Sequence, residues 1–150
     1  MAHIRTQVRQ AITAALTGLP TTGTNCFTMR TYPTGSKQHP ALLIYMPVER
    51  SQASAMGGGR RSLERFMTAT IEAQAVGIGF DDELDQIALE VEKALFRSNR
   101  LGGLAVNLAL QSTRLDLSDG KAGNERRSGV LTLEYLVEVD GPEGDPEAID

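Results

Sequence analysis

Few residues in this chain have the types that chemistry needs, and their spacing argues for solvated or structural roles. His3 and His39 are the two histidines, and no Cys or carboxylate stands at metal-ligand spacing to either. A surface histidine accounts for each. Cys26 alternates with Phe27 and has no activating base nearby in sequence, which fits a small buried side chain better than a nucleophile. Asp81, Asp82, Glu83 and Asp85 crowd together but lack the alternating oxygen ligands and the glycine of a calcium loop. The N-terminal turn of a helix accounts for all four. Met56-Gly57-Gly58-Gly59-Arg60-Arg61-Ser62 invites a phosphate-loop reading, yet the required Gly-Lys-Ser/Thr ending is absent. No acid-base pair with a nucleophile or metal emerges, so the sequence reads as a non-enzyme with no catalytic, cofactor or metal residues.

What remains is charge placed for contact. Arg50, Arg60 and Arg61 cluster around a glycine-rich loop, and Arg126 and Arg127 sit with Asn124 and Glu125 in a second polar connection. Arginine forks suit carboxylates on a neighbouring subunit or a phosphate backbone. These five are the candidate interface residues, with both loops expected at one end of a sheet. A plain solvated loop is the competing reading. The first 61 residues carry seven basic side chains against Glu49 alone, while residues 140–150 carry five acids and no base. Such asymmetry suits head-to-tail packing of like subunits. The net charge of −4 argues against binding nucleic acid by bulk charge.

The elements that would position these residues follow from periodicity. Ile4, Val8, Ala11, Ile12, Ala15 and Leu16 mark one face of a helix ended by Gly18 and Pro20. Residues 25–30 read as a strand, 34–37 as a turn, and 41–46 as a central strand limited by Pro47. Residues 50–61 read as a loop. The odd positions from Leu63 to Ala75 are mostly apolar, giving a strand with one wet face, with Arg65 the exception; a helix is the competing reading, since Leu, Glu, Arg, Met and Ala all permit one. A second helix opens at Asp81 and Asp82, buries Leu84, Ile87, Ala88, Val91, Ala94 and Leu95, and stops at Gly102-Gly103. Residues 104–111 and 131–139 alternate as an antiparallel pair. The sum is an α+β domain, order α-β-β-β-α-β-β, with a mostly antiparallel sheet and two helices packed on one face. Residues 1–141 form that single domain, and the acidic stretch 142–150 reads as a flexible tail. With aromatics at 5% and no Trp, the core must be aliphatic. A single cysteine rules out an intrachain disulfide framework and fits a reducing cytoplasm. The N-terminus lacks the apolar centre of a signal peptide, and no apolar run approaches the roughly 18 residues that span a bilayer, so no membrane partner is expected.

The chain resembles the phage tail terminators, the minor tail protein U family of lambda-like siphophages. The resemblance runs through IRTQVRQAITAALTGL, TTGTNCFTMRTYP, PALLIYMPVE, RSLERFMTATIEAQAVG, DDELDQIALEVEKAL and LTLEYLVEV, in that order, over residues 4–140. It implies an α+β subunit of a hexameric ring that caps the tail tube, ends tube growth and presents a surface for head-tail joining. The implied partners are other copies of the chain, the major tail tube protein and a head-completion or connector protein. Genomic DNA would pass through the ring without sequence-specific binding. The implied location is the head-proximal end of the virion tail, after assembly in the host cytoplasm. The family supplies no catalytic residues or cofactor. Another head-tail connector of the neck stays open as an alternative. So does a small oligomeric ligand-binding or regulatory module.

Overall fold

The computed structural model describes residues 2–28, 40–53, 61–118 and 128–149. Helix α1 spans Ile4–Leu16, strand β1 Cys26–Phe27, β2 Ala41–Ala53, β3 Ser62–Val76, α2 Phe80–Arg97, β4 Asn107–Ser118 and β5 Ser128–Pro142. The strands form one five-stranded sheet in the order β1-β2-β3-β5-β4. β1 runs parallel to β2, and every other pairing is antiparallel. This is the expected α+β order, with both helices on one face.

Period-two alternation decides which face that is. Met67, Ala69, Ile71, Ala73 and Ala75 of β3 are buried, as are Leu131, Leu133, Tyr135, Val137 and Val139 of β5. Register places them side by side and aligns Leu42 and Ile44 of β2 with Ala73 and Ile71. α1 covers this layer with Ile4, Val8, Ile12 and Leu16, and α2 with Leu84, Ile87, Val91 and Leu95. Three alanines on β3 leave room for α2 to lie close. Gly129 of β5 does the same for the start of α2, since a Cβ there would sit 2.7 Å from the Phe80 ring.

Several boundaries differ from the sequence reading for local physical reasons. β2 does not stop near Pro47. A bulge between Tyr45 and Val48 takes the proline out of the ladder, and the strand resumes through Arg50 to Ala53, residues read as loop. β3 is the central strand, and among the described residues β2 is flanked on its outer side by β1 at Leu42 and Leu43. The first helical residue of α2 is Phe80, capped by Gly79 at φ 77°, so the acids Asp81, Asp82 and Glu83 fill the first turn rather than the cap. α2 ends at Arg97, before the Gly102-Gly103 pair, which lies in a short 3-10 turn. β4 begins at Asn107, and a bulge between Leu110 and Ser112 shifts its phase, so it continues to Ser118. Residues 29 and 30 of the first expected strand, and the turn 34–37, lie outside the described residues.

The acidic stretch read as a flexible tail touches the fold along Glu143–Glu147. The Ile4 N–H donates to the Pro146 carbonyl at 2.7 Å, and the Gln7 side chain donates to the Glu147 carbonyl at 3.0 Å. Arg61 forms a fork with Glu143 at 2.7 and 2.8 Å.

Arg65, the charged exception on the apolar phase of β3, is also resolved. It is buried on the helix side, 2.9 Å from Glu49. Arg5 of α1 reaches the same carboxylate at 3.9 Å and donates to the Met46 carbonyl at the β2 bulge. Glu49 thus holds a buried guanidinium. Glu49→Ala should lower unfolding free energy by about 3 kcal/mol, because it strands that charge. Glu49→Leu with Arg65→Met should recover most of the loss; urea melts of the three chains check both. Tyr135 gives a pH test. Burial, and then the negative charge of Glu92, push its phenol up to about 12. The folded pKa lies above the ordinary value near 10, so the contribution is whole below pH 10 and fades as pH rises from 10 to 12. Unfolding free energy should fall across that window, and Tyr135→Phe should flatten the part of the fall that this residue causes.

Candidate subunit interface

The face of the sheet away from the helices divides into two halves. In one, Leu43, Glu72, Gln74 and Thr132 are buried, and the Tyr45 hydroxyl donates to the Glu72 carboxylate. In the other, rows of cross-strand neighbours lie open. One row is Arg50, Phe66 and Glu138; the next is Val48, Thr68, Leu136 and Ala109. Of these, Val48, Arg50, Phe66, Thr68 and Leu136 line a depression of about 480 Å³ together with Gln111 and Glu134, so that apolar Val48, Phe66 and Leu136 lie with the charged Arg50 and Glu134. The β2 bulge makes this possible, because it shifts the alternation by one residue and so turns Val48 and Arg50 to this side.

Electrostatically the face is acidic. Alternation turns Glu64, Glu72, Glu134, Glu138, Asp140 and Asp116 to it, against Arg50 and Arg114. Arg50 is exposed and makes no ion pair with a described residue. An exposed guanidinium of this kind suits a planar carboxylate partner.

The other expected interface residues separate. Arg61 is exposed just before β3, and its fork to Glu143 already occupies it within the chain. Arg60, Arg126 and Arg127 lie outside the described residues. The two loops that bear the arginines do not leave from one sheet end. Ser62 opens β3 opposite Pro142, whereas Ser118 and Ser128 stand at the Val76 end. The two attachment points thus lie a full strand apart, because β3 and β5 pair along their whole length.

The residues that could do chemistry have ordinary roles. The His3 ring accepts a hydrogen bond from the Arg5 N–H at 3.1 Å and so caps α1. His39 lies outside the described residues. Burial disfavours the thiolate and pushes the Cys26 thiol up, against a smaller opposing effect of the Thr17 hydroxyl. Among the described residues no cluster of His, Cys, Asp or Glu could hold a metal ion. No helix of the described residues is long and apolar enough to cross a membrane.

Two exposed apolar surfaces escaped the sequence reading. On α2, Leu89 and Phe96 stand outward with Glu92, Lys93 and Arg97 around them, and Phe96 is 79% exposed. On the sheet edge, β4 exposes Leu110, Leu115 and Leu117. The first could have been found from the seven-residue spacing of Leu89 and Phe96, off the buried stripe. The second was hidden by the phase slip at Gln111, beyond which Thr113, Leu115 and Leu117 resume the alternation.

No family model matches the chain, and no curated protein matches it. Among solved structures, the chain is similar to one from the virion of a native gene transfer agent (GTA) particle, at 15% identity and a TM-score of 0.42, over 91% of this chain and 92% of that one.

Proposed function

We propose that this chain is a structural virion protein that assembles as a six-membered ring on the end of a phage-type tail tube. There it stops tube growth and offers the surface for head-tail joining. The observation that carries the reading is the resemblance of residues 4–140 to the tail terminators, together with the α-β-β-β-α-β-β order that the chain adopts. A ring of identical copies repeats one heterologous contact. The open half of the sheet face supports such a contact, since it joins apolar Val48, Phe66 and Leu136 to the exposed charge of Arg50. In this reading Arg50 meets a carboxylate of the next copy or of the tube. Arg60, Arg61, Arg126 and Arg127 act at the loops, and DNA crosses the hole without sequence-specific contact.

The test is to add the purified chain to growing tail tubes and image them. The expected result is a six-fold ring at one tube end and an arrest of elongation. Arg50→Glu should keep the unfolding midpoint, because Arg50 is exposed, and lose capping; Arg60→Glu with Arg61→Glu should lose capping as well. Tubes that grow equally long with and without the chain would overturn the proposal.

A further inference from the structure

The outer edge of β4 is the surface least explained by the fold. Residues 111–117 are all exposed, with Leu115 at 42% and Leu117 at 63%. α2 packs mainly on β3 and β5 and leaves these leucines without cover. One side of the strand is paired to β5, and no strand of the described residues pairs with the other. Edge strands are commonly protected by charged side chains, lysine above all, by proline or by a bulge. From Ser112 to Ser118 the sequence is Ser-Thr-Arg-Leu-Asp-Leu-Ser, which has no lysine or proline and whose two charges, Arg114 and Asp116, are of opposite sign and so do not repel a second copy. The bulge lies before it.

The same run is complementary to itself. Laid antiparallel with Leu115 opposite Leu115, it sets Arg114 opposite Asp116 on each side of the centre, and Thr113 opposite Leu117. Alternation places both charged pairs on the acidic face and the leucines on the helix face. Opposite charges directly across an antiparallel pair stabilise it, and like charges there destabilise it. Within one chain Arg114 and Asp116 already lie 3.2 Å apart, both mostly exposed, so they are oriented to the same side. Pairing would bring the two ion pairs together with alternating sign.

We propose that two copies of this chain pair along β4 about a two-fold axis at Leu115, joining their sheets into one. The occupant is a second copy because in this register each Arg114 meets an Asp116 and Leu115 meets Leu115. The inference concerns the free chain in solution and does not rest on the ring reading. The contact is isologous and uses the edge of β4, whereas a ring contact is heterologous and is assigned above to the sheet face away from the helices.

The test is sedimentation of the full chain across concentration, with charge variants and a cross-link. The wild type should show a monomer-dimer equilibrium. Arg114→Asp and Asp116→Arg should each weaken it at least about tenfold, by setting like charges opposite one another. The double swap should return it to within a few-fold. Leu115→Cys should give a disulfide-linked dimer on mild oxidation, and the wild type, with Cys26 alone, should not. Leu115 is exposed, so the variant should fold; its circular dichroism checks this. A monomer at all concentrations would overturn the proposal. So would a dimer indifferent to both single swaps, or a folded Leu115→Cys chain that does not cross-link.

Discussion

Burial of one face of β3 and β5 beneath two helices is the constraint on which this structure depends. The two strands pair from Ser62 with Pro142 to Val76 with Ser128, so their side-chain alternation stays in step throughout. One set of alternate residues is thereby committed to the helices and the other to the opposite face. A slip of one residue would exchange the sets and place Glu72 and Glu134 under α2. Aliphatic side chains serve for the core because the layer between sheet and helices is thin, with Ala69, Ala73 and Ala75 beneath α2 and larger residues on β5.

That same commitment is why most of the fold was legible in the sequence. The stripes of α1 and α2 and the alternation of β3 and β5 are local patterns that burial enforces. Misreadings gathered where a bulge interrupts the period. At Pro47 the apolar run appears to end, yet the strand only shifts phase and carries Arg50 to the face away from the helices. At Gln111 the same device hid the second half of β4. Arg65 looked anomalous because its partner, Glu49, lies on another strand, and no local pattern announces such a pair.

The candidate interface was legible in part. Arg50 could be singled out as a charge in a basic half of the chain, but only the bulge explains why it faces Val48 and Phe66 across an open depression. Arg61 had the same sequence character and a different fate, because the end of β5 delivers Glu143 beside it. The expectation that two arginine loops share one sheet end failed on connectivity. Hairpins β2-β3 and β4-β5 turn at opposite ends of long strands, and composition carries no trace of that.

The contact between Ile4 and Pro146 has a consequence for how the molecule can be handled and joined. The amide that opens α1 and a carbonyl just short of the other terminus share one hydrogen bond. Both ends of the described chain therefore emerge from one corner of the domain, beside Gln7 and away from the exposed edge of β4. A tag, a fused domain or a further stretch of polypeptide at either end would leave from that corner. Trimming the chain back past Pro146 would remove the acceptor of the Ile4 amide and leave the first turn of α1 without that bond.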